Sequence, residues 1–152
     1  MSEPSIRPKV VALVRRGDEI LVFKWHDRAR DETYFCPLGG GIEFGERGVE
    51  TLRRELLEEI GIEVASATYL GLLENIFLLE GRPQHELVLV YETVLAEDER
   101  LRGSKVEGAC EGEVPLEVFW MPLSFFEEKR APLYPEGLLD MIRGRAASPR
   151  AI

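Results

Sequence analysis

The stretch Gly40 to Ile62, GGIEFGERGVETLRRELLEEIGI, decides the fold that we expect for this chain. Its second part, Gly48 to Ile60, contains no proline and is rich in Leu, Glu and Arg, which are good helix formers. Gly61 follows at the position where helices commonly end. The stretch therefore predicts a helix over 48–60, preceded by a glycine-containing loop.

Three carboxylates share one face of this predicted helix. Glu55, Glu58 and Glu59 are spaced i, i+3 and i+4, so their side chains are neighbours. Unpaired, they would repel one another and weaken the helix by a few tenths of a kcal/mol per pair. Mg2+ and Mn2+ prefer carboxylate oxygens, so the cluster indicates a divalent-ion site; an isolated Glu-Glu pair would more often be a solvated helix face.

The spacing across this stretch resembles the complete signature of the Nudix hydrolase family, the Nudix box. The signature is Gly, five residues, Glu, seven residues, Arg-Glu-apolar, one residue, Glu-Glu, one residue and Gly-apolar. The matching positions are Gly40, Glu46, Arg54, Glu55, Leu56, Glu58, Glu59, Gly61 and Ile62. One window would match by chance with a probability on the order of one in a billion. The box covers 23 of 152 residues, and the order of elements around it is also similar to a Nudix domain.

The resemblance implies a hydrolase that cleaves a phosphoanhydride bond in a nucleoside diphosphate derivative, with Mg2+ or Mn2+ as the cofactor. Glu55, Glu58 and Glu59 are then the expected metal ligands, and the Gly40 carbonyl is an additional one. Clustered metal ions supply the charge neutralisation and the activated water that pyrophosphate hydrolysis demands. The alternative is a catalytically silent Nudix module that senses a nucleotide.

Further catalytic roles also follow from the resemblance. Arg54 has the position that usually holds the glutamates by salt bridges, and Glu46 has the one that anchors the loop onto the helix. The general base is a glutamate in a late loop in many members and a box glutamate in others, for which Glu58 is the candidate. The candidates in the late loop, with Glu111 first among them, are Glu107, Glu111 and Glu113.

Substrate contacts are expected around the glycine loop. Gly39, Gly40 and Gly41 let the backbone approach an anion closely, although three glycines in a row are more often a plain turn. Tyr34, just before the loop, is a candidate to stack on a base, although core packing is the more common role of such a ring. The same two interpretations apply to Phe35, Phe77 and Tyr91.

The residues that select the substrate lie outside the Nudix box. Position 77 is Phe, where members that cleave ADP-ribose often carry proline, and position 79 is Leu, where dinucleoside-polyphosphate members often carry tyrosine. The leading candidates are a nucleoside triphosphate, ADP-ribose and a nucleotide sugar. Glu86 would lie near the metals if its strand runs beside the box helix.

Composition limits the remaining possibilities. A chain of 152 residues fits one domain, predicted over residues 1–152, and the net charge of -9 argues against a general nucleic-acid surface. No apolar run approaches the roughly 20 residues that span a bilayer, so no membrane partner is expected. Two cysteines are too few for a disulfide framework, which favours a cytoplasmic location. Many family members dimerise, so the resemblance allows a homodimer.

Apolar runs and turn residues predict an α/β fold, with a mixed β-sheet sandwiched between helices (α/β/α). The predicted strands are Lys9 to Arg15, Glu19 to Trp25, Tyr34 to Cys36, Ala65 to Leu73, Asn75 to Leu79, His85 to Leu95 and Val118 to Met121. The first two are expected to form a β-hairpin. The predicted loops are His26 to Thr33 and Ala96 to Val114, the second being a lid or an insertion. The C-terminal predictions are a helical turn over Leu123 to Glu128, a helix over Pro135 to Arg143 and a frayed tail over Ala146 to Ile152.

Overall fold

The computed structural model describes residues 3–145 and combines β-sheets with one long helix and two short ones. The strands are β1 (Ile6–Leu13), β2 (Arg15–Arg16), β3 (Glu19–Asp27), β4 (Glu32–Cys36), β5 (Gly39–Gly41), β6 (Val64–Leu79), β7 (Arg82–Leu95), β8 (Lys105–Val106), β9 (Cys110–Glu111), β10 (Val114–Pro115) and β11 (Glu117–Pro122). The helices are α1 (Gly48–Ile60), α2 (Leu123–Glu127) and α3 (Leu138–Arg143). Within residues 3–145, no helix has both the length and the apolar composition needed to cross a bilayer.

The first sheet has the strand order β5-β1-β7-β6 and is mixed. Strands β1 and β7 are parallel, with Val10 opposite Leu89, and β6 continues the sheet antiparallel to β7, with Leu72 opposite Leu89. On the other edge, β5 lies antiparallel to β1 and places Gly40 opposite Val10. The glycine strand is thereby attached to β1, one of the two inner strands of the sheet.

The second sheet is antiparallel and has the order β2-β3-β11-β8, with β4 also paired to β3. Phe23 lies opposite Cys36 at one end of the β3–β4 pair, and Asp27 lies opposite Glu32 at the other. The short strands β9 and β10 pair with each other. Their hairpin carries Glu111.

Helices cover both faces of the first sheet. Alternate residues of β1 point to opposite sides: Val10 packs in the core beneath α1, whereas Val11 packs in the core beneath α2 and α3. The buried helix residues are Leu52, Leu56 and Ile60 on one side, and Leu123, Phe126, Leu138 and Ile142 on the other. The predicted α/β/α arrangement is confirmed, with its strands divided between two main sheets.

The box helix has the predicted bounds, Gly48–Ile60. At its start the Glu50 carboxylate accepts a hydrogen bond from the Arg47 backbone N–H (3.1 Å), which is one half of a capping box. At its end Gly61 has a φ of 69°, the left-handed conformation that glycine adopts without strain. The composition of the segment and Gly61 are local in sequence, which is why the helix could be predicted.

Two predictions near the N-terminus were wrong. The first two apolar runs do not form a long hairpin, because β1 pairs with β7 and β5, and only the short β2 pairs with β3. The residues predicted as a glycine loop instead form a strand, because Gly39–Gly41 pair with β1 as β5. Both errors concern pairing between distant segments, which local composition does not specify.

The predicted loops contain more regular structure than expected. Between His26 and Thr33, β3 runs to Asp27 and β4 begins at Glu32, which leaves only residues 28–31 as the turn. The segment 96–114 contains a 3-10 helix (Glu99–Leu101) and strands β8 and β9. The two predicted strands after the box helix join into the continuous β6.

The C-terminal region also differs from the prediction. Helix α3 begins at Leu138 and not at residue 135, because Gly137 has a φ of 90° and the chain before it lies along β4 as an isolated bridge between Phe35 and Leu133. The tail predicted over Ala146 to Ile152 lies outside the described residues.

Candidate active site

A cleft of about 300 Å³ opens beside the glycine strand β5, with walls from both main sheets. The predicted site residues that line it are Tyr34, Gly39, Gly40, Glu59 and Glu111. The other predicted residues, Gly41, Arg54, Glu55 and Glu58, are not part of its wall. Five of these nine predicted residues therefore line the cleft, and four lie outside its wall.

Glu59 is the carboxylate that the fold buries at the cleft. Its exposed fraction is 5%, and its Oε1 accepts a hydrogen bond from the Gly39 backbone N–H (3.2 Å). Burial, helped by the charges of Glu55 and Glu111, raises the pKa of Glu59 to about 8. Burial therefore disfavours the ionised form of Glu59, and a cation bound next to the carboxylate would stabilise that form.

Glu55 lies directly behind Gly40. A Cβ atom added to Gly40 would overlap the Glu55 carboxylate, so no other residue fits at this position without displacing it. Burial raises the pKa of Glu55, although a hydrogen bond from the Arg54 Nη1 (2.9 Å) opposes this effect. Glycine is thus required here for close approach, which agrees with the place of Gly40 in the box.

Glu58 differs from the other two glutamates because its side chain is 59% exposed. It lies 3.5 Å from Arg54, measured from Oε1 to Nη1. Within the described part of the chain, no three Asp, Glu, His or Cys side chains converge closely enough to form a ready-made metal cage. The helix face is shared as predicted, but its carboxylates occupy a buried, a half-buried and an exposed position.

Arg54 connects the helix to the loop that precedes it. Its Nε and Nη2 each donate to the Glu46 carboxylate at 2.9 Å, a bidentate geometry, and Nη2 also donates to the Gly41 carbonyl (3.3 Å). Glu46 accepts further bonds from the Thr51 hydroxyl (2.8 Å) and the Glu43 backbone N–H (3.1 Å). The Arg54 side chain and this backbone N–H hold the pKa of Glu46 near 2. This network fixes the glycine loop against α1.

Glu111 reaches the cleft from β9, far from the box in sequence. Its charge contributes to the raised pKa of both Glu55 and Glu59. A weak hydrogen bond from the Cys110 thiol to the Glu58 carbonyl (3.8 Å) attaches this strand to α1. The other loop candidates, Glu107 and Glu113, are exposed and lie outside the cleft wall.

The aromatic candidates divide between the cleft and the core. Tyr34 and Phe77 line the cleft, whereas Phe35 is 5% exposed and packs edge-on against the rings of α2. Tyr91 packs against Tyr69, with ring centroids 5.6 Å apart. Phe35 is therefore a core residue, and base stacking does not apply to it.

The match between this chain and a protein family extends well beyond the Nudix box. Residues 5–137 match the family model described as the NUDIX domain. This chain belongs to the Nudix family. That match includes both main sheets and the cleft between them as well as the box helix.

Known Nudix proteins resemble the chain to different extents. It is 36% identical over 72 residues to the NAD-capped RNA hydrolase NudC of Pseudomonas aeruginosa, a match that covers 45% of this chain and 24% of that relative. The chain therefore spans about a quarter of that relative's length. Two solved structures share the fold: a NUDIX hydrolase from Nitrosomonas europaea (TM-score 0.61, 17% identity, 93% and 87% of the two chains) and an ADP compounds hydrolase (TM-score 0.60, 20% identity, 93% and 73%).

Several cleft residues of this Nudix domain were not among the sequence candidates. Arg7 and Lys9, at alternate positions of β1, both line the cleft, as do Asn75 and Tyr134. Lys9 lies 3.9 Å from the buried Glu86, measured from Nζ to Oε2. Two basic residues spaced by two at the start of an apolar strand were a usable signal. Asn75 and Tyr134 had none, because their place depends on how distant segments pack.

Proposed function

We propose that the protein is a Nudix pyrophosphohydrolase that uses Mg2+ or Mn2+ to cleave a phosphoanhydride bond in a nucleoside diphosphate derivative. The observation that carries the proposal is the meeting of Gly40, Glu59 and Glu111 at one cleft, with Glu55 directly behind Gly40. These groups come from β5, α1 and β9, so the fold assembles them from three separate segments.

The donor set fits a hard divalent ion. The groups that would hold it are the carboxylates of Glu55, Glu58 and Glu59 and the carbonyl of Gly40, all of them oxygen donors. Burial raises the pKa of Glu59 and of Glu55, and a nearby cation would favour their charged forms. When bound, such an ion neutralises phosphate oxygens and activates a water molecule for in-line attack.

The side chains of this chain supply positioning and proton transfer. Arg54 holds Glu55 and the Gly41 carbonyl in place, and the Gly39 N–H orients the Glu59 carboxylate. Glu111 lies in the cleft wall, where its carboxylate would accept the proton of the attacking water. Arg7 and Lys9 are basic side chains on the same wall that would contact an anionic substrate, although Lys9 is also paired with Glu86 at 3.9 Å.

The candidate substrates come from the sequence and from the name of one relative. We retain a nucleoside triphosphate, ADP-ribose and a nucleotide sugar as candidates. We add NAD and NAD-capped RNA, because NudC of Pseudomonas aeruginosa is named as a hydrolase of NAD-capped RNA. The net charge of -9 makes a small nucleotide the better candidate, since a long RNA would be repelled by most of the surface.

A hydrolysis screen tests this function. Purified protein is incubated with these nucleotides and with an NAD-capped oligoribonucleotide, in Mg2+ or Mn2+ and in a chelator, and the products are separated by chromatography. We expect metal-dependent cleavage at a phosphoanhydride bond of at least one small nucleotide. Nucleotide binding without turnover would instead identify a nucleotide-sensing module, and cleavage in the chelator would contradict the metal mechanism.

Two further expectations complete the proposal. Both cysteines are free thiols, Cys36 being buried, which supports a reducing, cytoplasmic location. The homodimer that the family resemblance allows stays a prediction, which sedimentation velocity of the full chain would test.

A further inference from the structure

Helix α1 covers only part of its face of the first sheet. A Cβ atom added to Gly48, the first residue of α1, would lie 3.2 Å from the Leu89 Cδ2 on β7, so the helix begins above Leu89. One row across the sheet joins Leu89 to Val10 on β1 and to Leu72 on β6. Val10 is fully buried, whereas Leu72 is 49% exposed. The cover that α1 provides therefore ends between β1 and β6.

The next rows of the sheet carry apolar side chains that face the solvent. Side chains directly opposite each other in paired strands point to the same side of a sheet. The two rows beyond Leu89 consist of Pro8, Leu87 and Glu74, and of Ile6, His85 and Ile76. Ile6 is 56% and Ile76 64% exposed within the part of the chain that the structure describes. With Leu72, these six residues form a surface that we call the uncovered face.

The uncovered face lies on the reverse side of a cleft wall. Along β1, Arg7 and Lys9 alternate with Ile6 and Pro8, and the two basic side chains line the cleft. Successive side chains of a strand point to opposite sides of its sheet. On β7, Glu86 lines the cleft and has both of its neighbours on the uncovered face. A partner bound to this face would therefore leave the cleft open.

Phe44 lies beside the uncovered face and enlarges its apolar surface. The ring is fully exposed, on the loop between β5 and α1. Two residues earlier, the Ile42 N–H donates to the Pro8 carbonyl (3.0 Å), which ties this loop to the edge of the face. The Glu46 carboxylate, held by Arg54, fixes the other end of the loop. A large exposed ring next to an apolar surface indicates an interaction site.

The size of the uncovered face suits a reversible protein contact. Three strands spaced about 4.8 Å, with side chains that reach beyond them, make it roughly 18 Å wide. From Leu72 to Ile76 it extends along β6 for roughly 20 Å including side chains. Its footprint of roughly 350 Å² is that of an interaction patch, and Phe44 adds to it. A standard interface buries about 800 Å² on each partner, so we expect a dissociable complex with a Kd in the micromolar range.

Two polar side chains make the face complementary to itself. Glu74 and His85 are the ionisable residues among its members, one a hydrogen-bond acceptor and the other a donor through an imidazole N–H. Neither side chain has a hydrogen bond or an ion pair within residues 3–145. A two-fold axis midway between them places the Glu74 of one copy opposite the His85 of the other. Elsewhere the net charge of -9 makes two copies repel each other, so this face is where they can approach.

We propose that two copies of this chain associate through their uncovered faces, with Glu74 of each copy opposite His85 of the other. The interface is isologous, because the same residues come from both copies. Dimer formation buries the exposed apolar side chains and gives both polar ones a partner. This inference goes beyond the proposed function, because it names a partner and its surface and needs no nucleotide.

Sedimentation velocity of the full chain, from about 1 to about 300 µM, measures the dimer Kd. We expect the wild type to dimerise. Ile76→Glu places one added carboxylate from each copy in an apolar contact, so the Kd should rise at least about tenfold. Val94→Glu is the matched control, because Val94 is 57% exposed on the same sheet but points to its other side. Both variants change the net charge equally, and only Ile76→Glu should weaken the dimer.

A charge exchange tests the assigned pair. His85→Glu places two carboxylates opposite one another at each contact, and Glu74→Lys removes the acceptor, so each single variant should raise the Kd about tenfold. The double variant Glu74→Lys/His85→Glu restores opposite charges and should return the Kd to within about threefold of the wild-type value. Additive losses in the double variant would overturn the proposed interface.

Folding and specificity are controlled separately. If Ile76→Glu does not fold, as judged by its melting curve, Ile6→Glu takes its place with the same expectation. A wild type that stays monomeric at every concentration, or that instead binds phosphatidylcholine vesicles through this face, overturns the inference. An unchanged Kd in Ile76→Glu, or equal weakening by Val94→Glu, overturns it as well. A dimer that hydrolyses no nucleotide would keep this interface and lose the proposed function, and a monomeric hydrolase would do the reverse.

Discussion

At the scale of single residues, the site depends on groups that hold other groups in place. Arg54 contacts Glu46, Glu55 and the Gly41 carbonyl, so one guanidinium connects the loop, the helix and the glycine strand. Lysine has no planar fork and cannot reproduce the bidentate geometry. The ligands of the proposed metal site therefore rely on a residue that is not expected to touch the metal.

We predict that Arg54→Ala and Arg54→Lys both lower kcat/KM about ten- to a hundredfold, the usual effect of removing a residue that orients metal ligands. Steady-state kinetics in Mg2+ on the substrate found in the screen measures the effect. Arg53→Ala is the control, because Arg53 is the preceding residue on α1 and its side chain is exposed. Equal losses in the Arg53 and Arg54 variants would show that the network has no specific role.

Gly40 offers a second residue-level prediction. In Gly40→Ala the new methyl group would overlap the Glu55 carboxylate and push it from its place, so we expect kcat to fall about a hundredfold. Gly103→Ala is the matched control, since its Cβ would meet only the Lys105 carbonyl at 3.8 Å, an ordinary contact. Wild-type turnover in Gly40→Ala would contradict the proposed placement of Glu55.

The raised pKa of Glu59 predicts how stability depends on pH when metal is removed. Between pH 4.5 and about 8 the folded protein keeps the Glu59 proton that the unfolded chain has released, so unfolding releases a proton. The free energy of unfolding therefore falls as pH rises through this window, by at most about 1.4 kcal/mol per pH unit, and levels off above it. Urea denaturation in a chelator, at intervals from pH 5 to 8.5, measures the slope.

Glu59→Gln provides the comparison for this measurement. The amide oxygen can still accept the Gly39 N–H, but the side chain no longer titrates. We expect the variant to lose this part of the pH dependence and to be more stable than the wild type at pH 8.5. Glu46, whose pKa is lowered from 4.5 to about 2 on folding, contributes to the slope mainly below about pH 5, which is the lower end of this range. Parallel pH curves for the two proteins would contradict the burial effect on Glu59.

The sequence predicted the shared face of Glu55, Glu58 and Glu59, because helix geometry alone sets it. It did not predict that Glu59 is buried while Glu58 is 59% exposed, since that depends on which side of α1 the sheet covers. Arg7 was also missed. Its side chain lines the cleft, and the two basic residues at alternate positions of β1 were a signal that could have indicated this.

At the scale of elements, β9 brings a carboxylate to the cleft from a segment that the sequence indicated only as a loop. We predict that Glu111→Gln lowers kcat about a hundred- to ten-thousandfold with a smaller effect on KM, as expected for the loss of a general base. The pH–rate profile should also lose its acidic limb. Glu113→Gln on the same hairpin is the control, because Glu113 is exposed and outside the cleft wall.

An unchanged kcat in Glu111→Gln would assign the base to another carboxylate. Glu58, the candidate within the box, would be the next one to change. This outcome would leave the metal site intact and alter only the proton-transfer step.

Elements whose sequence signals lie within one short segment were predicted correctly. Strand pairing between distant segments was not. Helix α1 was predicted with its observed bounds, because its composition and Gly61 lie within the segment itself. Strand β1 was predicted as a strand but was given the wrong partner, since its parallel pairing with β7 joins residues about eighty positions apart. The strand β5 was missed for the same reason, because three glycines have no strand preference of their own.

At the scale of the whole molecule, the fold places an acidic site within a chain of net charge -9. Both main sheets contribute to the cleft, so the site exists only when they are packed together. The α/β/α architecture and the family could be predicted from the sequence, because the box is specific and the apolar patterns are regular. The substrate could not, because the residues that would select it are spread over β1, β6 and the segment 131–137.

The central claim is that the carboxylates of α1 and the glycine strand hold a divalent ion. The most direct test is a Mn2+ titration followed by electron paramagnetic resonance at pH 8.5, where Glu59 is ionised, with the wild type, Glu59→Gln and the exposed control Glu63→Gln. We expect saturable binding to the wild type and to Glu63→Gln, and a Kd weaker by at least about tenfold in Glu59→Gln. Identical binding curves for all three proteins would contradict it.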